Sequence, residues 1–381
     1  MGNEKTVEKT GAPSLRNSNI ELLRILAMIG IIAHHLGYWG GFEYATDSLS
    51  LNQLWVQFIQ IGGKIGVVLF IYISGYYLVK ADEIKTAKVV KLWLQIFFYS
   101  LPVFLVLVLF GIRSFGIMDL IKNCFPVIFQ KWWFATAYLL LYILSPFLNR
   151  LLKSLDEKQY IGFLLLTGIC WCVIPTFTTQ YFMGNELLFF VLIYSISGFI
   201  RLHKVKIQWS AAKCIVISII LSILTFGSVV AFDILGSKFP FLAENALYLF
   251  IFQRSIMVVV IGLIIFIGFL KMNIGYKRVI NFISPAMFGV FLIHENDCIR
   301  KWLWQDIFKL GSYSNSNVLI PYTILVVAIV FVGCTIIELL RRYSIELLSK
   351  PLIRFTSEKI DSASEKLKTF IQNKLKHDQN E

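Results

Sequence analysis

Apolar residues fall in long blocks separated by short polar connections, and about ten blocks approach or exceed the length needed to cross a ~30 Å hydrocarbon layer. They cover residues 20–35, 54–79, 87–110, 132–148, 161–175, 187–200, 212–232, 246–270, 279–294 and 318–340. Lipid offers no water to unpaired backbone groups, so each block is expected to be a helix. The alternation of apolar and polar positions that marks a membrane barrel is absent. The fold class is therefore all-α, a polytopic transmembrane bundle of about ten helices. The fifth, sixth and ninth blocks are short and either span or re-enter. Residues 1–18 form a polar tail with a flexible stretch at 10–14, residues 19–350 the membrane domain, and residues 351–381 a second polar tail. Within that last tail Ile360, Ala363, Leu367, Phe370, Ile371 and Leu375 recur at helical spacing. An amphipathic helix on the inner leaflet or against a partner is expected there.

Composition agrees with this reading. Of 381 residues, 57% are hydrophobic and only 15% charged, too few for the polar coat of a soluble domain. The net charge of +13 raises the question of nucleic acid. Its distribution answers it: every second connection is basic. The intervening ones are acidic or near neutral apart from two mixed ones, with Arg113 and Lys122 beside Asp119 and with Arg300, Lys301 and Lys309 beside Glu295, Asp297 and Asp306. Lys80, Lys85, Lys88 and Lys91 follow the second block, Arg150, Lys153 and Lys158 the fourth, and Arg201, Lys204, Lys206 and Lys213 the sixth. Lys271, Lys277 and Arg278 follow the eighth, and Arg341 and Arg342 the tenth, whereas Glu43, Asp47, Glu186 and Glu244 lie in the intervening connections. The positive-inside rule places both termini in the cytoplasm, and the basic excess reports topology rather than a nucleic-acid partner. The polar start is not that of a cleaved leader, and the first block is expected to persist as a helix.

Six cysteines show no metal-ligand spacing and read mainly as small packing residues, with Cys124 and Cys298 as one conceivable outer pair. No internal repeat, glycine-rich phosphate loop or nucleotide-hydrolysis motif is present, and no metal is expected.

Within the first block, Arg24 and His35 are eleven residues apart. At about 100° per residue this returns the second side chain to within roughly 20° of the first, about 16 Å along the axis. A cation and an imidazole thus share one face of a helix that otherwise belongs in lipid, while His34 points elsewhere. Ionisable groups at that depth are costly, so function is the default reading. Glu21, one turn before Arg24, orients the guanidinium, or Arg24 snorkels to the interface with Glu21 as its partner. Lys64 opens the second block beside Gly62, Gly63 and Gly66, and Ser74 lies deeper in it. Arg254 sits inside the eighth block, and His294 and Glu295 end the ninth. With Trp133, these form the candidate substrate-binding set: Lys64, Ser74, Trp133, Arg254, His294 and Glu295.

Glu21-Leu-Leu-Arg24 followed by His35 resembles the opening motif of the acyltransferase-3 family of integral membrane acyltransferases. Gly66-Val-Val-Leu-Phe-Ile-Tyr-Ile-Ser-Gly75 resembles its second-helix signature, and the segment from Trp132 to Leu148 its fourth helix. Ser284-Pro-Ala-Met-Phe-Gly-Val-Phe-Leu-Ile-His294 is similar to the late segment that ends in a histidine. The family often carries an Arg-x-x-Arg pair after the second helix; Lys88-Val-Val-Lys91 keeps the charge here without the bidentate geometry.

The resemblance implies transfer of an acyl group, usually acetyl, from acetyl-CoA or another acyl-CoA to a sugar hydroxyl of a cell-surface polysaccharide or lipid-linked glycan. It implies no permanently bound cofactor and a multi-pass location, expected to be the bacterial cytoplasmic membrane. Acyl transfer to a hydroxyl needs a group to take its proton, and histidine suits that task at neutral pH. The catalytic candidates are His35, as base or as transient acyl carrier, with Arg24 and Glu21. Lys88, Lys91 and Arg150 are candidates for the donor phosphates. A transporter or exporter of a glycan intermediate or small metabolite is the alternative, since charged groups lining a bundle suit it too.

Overall fold

The computed structural model describes residues 17–44, 49–178, 182, 184–236, 238–252 and 254–378. Among them there is no strand. The flexible stretch expected at 10–14 lies outside the described residues, as does Asp47. Each of the ten apolar blocks is largely helical: α1 Ser18–Trp39, α2 Leu51–Leu78, α3 Thr86–Leu109, α4 Trp133–Ser154, α5 Glu157–Thr178, α6 Glu186–Leu202, α7 Ala211–Gly236, α8 Ile256–Lys271, α9 Arg278–His294 and α10 Leu319–Tyr343. Seven of these, all but α6, α8 and α9, are long and apolar enough to cross a membrane. At 22 residues α1 extends about 33 Å. The fifth block, expected to be short, forms a 22-residue helix with one wide turn at Ile169–Val173.

The eighth block departs from expectation. The sequence pattern predicts one helix over 246–270, with Arg254 inside it. The chain instead leaves the helix after Ile251 and restarts at Ile256, so Arg254 lies in a buried irregular break. Polar side chains stabilise the restart: the Ser255 hydroxyl accepts the Met257 N–H at 3.3 Å, and the Thr176 hydroxyl accepts the Ile256 N–H at 3.0 Å.

Contacts gather helix ends at two poles. At one pole Ser18, opening α1, accepts from Asn281 near the start of α9, and Phe282 stacks on Tyr343 at the end of α10. Asn149 near the end of α4 donates to Leu78 and Ala81 at the end of α2, both at 2.8 Å, and Lys271 reaches Ile207. This basic end carries the lysine- and arginine-rich connections. The far end carries Glu43, Glu186 and Glu295.

Helix α2 is the hub, packing on α1, α6 and α8, with Val68, Ile71, Tyr72 and Ile73 buried. Small residues let α1 and α2 approach closely: a Cβ on Gly62 or Gly30 would meet the other glycine's backbone. By contrast only 17% of α7's apolar window is buried, leaving Val216, Ile219, Ile223 and Leu224 facing outward, a surface suited to lipid.

Two sets of buried polar groups are paired across helices. Arg341 donates two 2.8 Å hydrogen bonds to Glu338, which also accepts from Tyr99 at 2.6 Å and Gln95 at 3.0 Å. His34 donates to the Gln60 carbonyl at 3.0 Å, where α2 is interrupted between its two helical stretches. The tail helix α11, Ile345–Asp378, follows α10 directly, ahead of the boundary expected at 350, and packs along α3. Cys124 and Cys298 are free thiols and do not pair.

Gly62→Leu is expected to lower stability by about 1–3 kcal/mol, because the inserted side chain meets the α1 backbone rather than a flexible neighbour. A thermal unfolding scan in detergent checks this; an unchanged midpoint would mean that α1 and α2 are not packed at this crossing.

Candidate active site

Four helices present one stripe each to a common interior. On α1 the stripe is Arg24, Met28, Ile31 and His35, residues that recur at helical spacing on a single face. On α2, running the opposite way, it is Ser74, Phe70, Val67 and then Lys64. On α4 it is Tyr138, Phe134 and Trp133, and on α9 it is Ser284, Met287, Phe291 and His294. The basic-end portions of these stripes enclose a cavity of about 250 Å³. Arg24, Lys88 and Ser284 are its polar groups toward the basic end, and Met28, Val67, Leu92, Phe288 and other apolar side chains form its walls.

Arg24 is held in place. Its guanidinium donates to Glu21 at 2.7 Å, and the second Glu21 oxygen accepts a hydrogen bond from Ser284. Glu21 therefore orients Arg24 and ties α1 to α9. Lys88 lies over the Tyr142 ring at 4.6 Å and lines the cavity.

At the far-end terminus of the stripes the polar groups converge. His35 Nδ1 lies 3.0 Å from His294 Nε2 and 3.4 Å from a Glu295 oxygen. His294 Nδ1 lies 2.6 Å from the Val290 carbonyl. A carbonyl only accepts, so His294 carries its proton on Nδ1 and, when neutral, presents a lone pair at Nε2. His35 must then donate from Nδ1, which leaves its own Nε2 as the proton-accepting nitrogen. Glu295 is itself positioned by Trp39 at 3.1 Å and Arg300 at 2.9 Å, and Arg300 covers the Trp39 ring at 4.1 Å. An imidazole oriented through one nitrogen, with the other left basic, is the arrangement that proton abstraction requires.

Lys64 completes this end, its ammonium 4.9 Å from the centre of the Trp133 ring. The charges of Lys64 and Arg254 both act on Glu186, at the start of α6. Between the two poles of the site stand Ile31, Val67, Phe134 and Phe291, all buried. The Phe134 and Phe291 rings meet edge to face at 5.3 Å, and the Phe291 ring lies 6.4 Å from that of His35.

The sequence-derived set thus divides. His35, His294, Glu295, Lys64 and Trp133 come together at the far end, while Arg24, Glu21 and Lys88 meet near the cavity's basic end. Ser74 is not with the histidines: it lines the cavity, donates to Phe70 at 2.9 Å and lies 3.3 Å from the Tyr138 hydroxyl. Lys91 is not in the cavity either, because the Glu346 carboxylate holds it at 2.5 Å. Burial opposes ionisation of Glu346, yet Lys91 and Arg341 keep its carboxyl below the usual range. Arg150 is exposed on the surface of the basic end, away from the cavity. Trp39, Arg300, Ser284 and Tyr138 escaped the sequence reading as site residues. Trp39 was legible as the position one turn beyond His35; Arg300 sits in an irregular connection and carried no such signal.

Comparison with known proteins adds one finding. The sequence pattern of the acyltransferase-3 family, described as an acyltransferase domain, matches residues 17–339. No curated protein and no solved structure matches the chain. The matched region runs from the start of α1 into α10 and includes both the cavity and the histidine pair. The chain belongs to the acyltransferase-3 family.

Proposed function

We propose that this membrane acyltransferase takes an acetyl group from acetyl-CoA at its basic, cytoplasmic end and delivers it to a sugar hydroxyl of a surface or lipid-linked glycan at the far end. One observation carries the reading: the hydrogen-bond chain Val290–His294–His35, which leaves His35 Nε2 basic at the end of the stripe that starts at Arg24. The cavity suits a donor with an anionic head and a thin arm, because Arg24 and Lys88 supply positive charge near its basic end and its remaining walls are largely apolar. On the far side an open cleft of about 700 Å³ begins directly beyond Trp39, lined by Gly40, Gly41, Glu43, Gln305, Asp306 and Lys309. Its carboxylates, amide and ammonium offer the donors and acceptors that sugar hydroxyls need.

His35 Nε2 takes the proton of the attacking hydroxyl as its oxygen bonds to the acyl carbon. The carbon–sulfur bond breaks, and the protonated His35 returns the proton to the departing thiolate, so product ester and free thiol balance the reaction. His294 and Glu295 accept from His35 Nδ1 and stabilise the charge that forms on the ring. Water must be kept from the thioester, and the buried layer formed by Ile31, Val67, Phe134 and Phe291 contributes to that.

Purified protein is expected to release CoA from labelled acetyl-CoA with acceptor glycan present, and His35→Ala to lower kcat about 10²–10⁴-fold. In cells, proton NMR and mass analysis of surface glycan should show acetyl ester with the native protein and none with His35→Ala. Full acetylation by His35→Ala would overturn the assignment. Loss of glycan export with acetylation intact would favour the transporter reading instead.

Arg24→Gln and Lys88→Met are expected to raise KM for acetyl-CoA, each by about 10-fold, as expected for loss of one charged hydrogen bond. The glycan KM should stay constant. Steady-state kinetics with each substrate varied in turn checks this, and an unchanged donor KM would remove the cavity from the donor path.

A further inference from the structure

We infer that Ile31, Val67, Phe134 and Phe291 form the acyl-length filter of this enzyme, admitting a two-carbon acyl group to the histidine pair and rejecting longer chains. The inference rests on the donor reading above and specifies the substrate class at that same site.

The four residues come from four helices, α1, α2, α4 and α9, and on α1, α2 and α9 each stands one turn from the far-end polar residue, His35, Lys64 or His294. Each is at most 6% exposed. They are not ordinary core, because both sides of the layer are functional surfaces. All four line the cavity, so their basic-end side is open space. Their far-end side is the histidine pair, where Phe291 lies 6.4 Å from His35 and 6.1 Å from His294. Phe70 at 6.3 Å and Phe190 at 5.7 Å pack against the Phe134 ring, so it is held by aromatic neighbours rather than by flexible chains.

Distance converts this layer into a ruler. The cationic groups near the basic end fix one end of the donor, and His35 lies about 16 Å further along α1. With the acyl carbon brought to His35, the donor's arm lies along this layer, and any further methylenes must find room among that arm, Phe291 and the imidazoles. Close-packed interiors resist even one added methylene, and a pocket wall discriminates by about 10–200-fold per methylene.

The test uses the full-length protein in detergent with acetyl-, butyryl- and octanoyl-CoA, reading acceptor-dependent CoA release. The native protein is expected to favour acetyl over butyryl by at least about 10-fold. Phe134→Ala and Phe291→Leu should raise the butyryl-to-acetyl ratio about 10-fold or more, while Val67→Phe should depress acetyl turnover as well. Ile31→Val and Val67→Ile, mild enough to preserve folding, should move the ratio in opposite directions. Equal use of acetyl and butyryl by the native protein, or a ratio unmoved in these two conservative variants, would overturn the filter. Absence of turnover with every acyl-CoA would instead defeat the donor reading itself, and the two failures are distinguishable.

Discussion

A proton on His294 Nδ1 sets the direction of the hydrogen bonds in the candidate site. The backbone of α9 supplies an acceptor at Val290, one turn back from His294, and the ring is close enough to use it. Hydrocarbon provides no competing partner, so this bond persists, and its direction propagates outward. His294 accepts from His35, and His35 is left with a basic nitrogen that no residue on its own helix supplies. Neither histidine alone specifies this. An isolated His35 on α1 is free to choose its tautomer; His294 removes the choice, and the carboxylate of Glu295 adds a second acceptor for the same N–H. The order runs from backbone to ring to ring, which is why the end of α9 matters as much as α1.

The same constraint explains how polar groups are spread along the bundle. Three of the four interior stripes are polar at their ends and apolar in their middle: Arg24 and His35 on α1, Ser74 and Lys64 on α2, Ser284 and His294 on α9. Charges placed at both ends lie near the poles where partners exist, and the middle stays apolar. Helices α1 and α2 approach closely at the Gly30–Gly62 contact, and the Phe134 and Phe291 rings of α4 and α9 meet edge to face. A cavity remains on one side of the aromatic layer and a paired histidine site on the other. Helix packing and functional division are therefore set by the same residues.

Much of this was legible in the sequence, for reasons that particular residues make plain. Arg24 and His35 are local, so helical periodicity alone put them on one face. Basic connections and apolar blocks are local too, and the helices follow them closely. The pairing of His35 with His294 spans most of the chain, and no spacing rule reaches that far; the sequence singled out both residues but not their hydrogen bond. Arg254 stands in a break that the apolar stretches on either side of Gln253-Arg254-Ser255 conceal in sequence, and Thr176, from a separate helix, joins Ser255 in supplying the hydroxyls that accept N–H groups where the helix restarts. Lys88 and Lys91 looked equivalent in sequence. A carboxylate from α11 separates them, which periodicity within one helix has no means of showing.

That separation has a consequence for the basic end. Lys91, Glu346, Arg341, Glu338 and Tyr99 form one continuous chain of ion pairs and hydrogen bonds from the first turn of α11 through α10 to α3. Glu338 also presses against Gly289 of α9, where a Cβ would collide with its carboxylate. Removing one of the buried partners, Arg341 or Glu338, leaves the other desolvated without compensation. The members of this chain of contacts are consequently committed to holding α3, α9, α10 and α11 in register and are not available to a ligand. Positive charge for the cavity is left to Arg24 and Lys88, both of which line it directly. The tail helix, by occupying Lys91, narrows the set of cations that face the interior to those aligned with the stripe leading to His35.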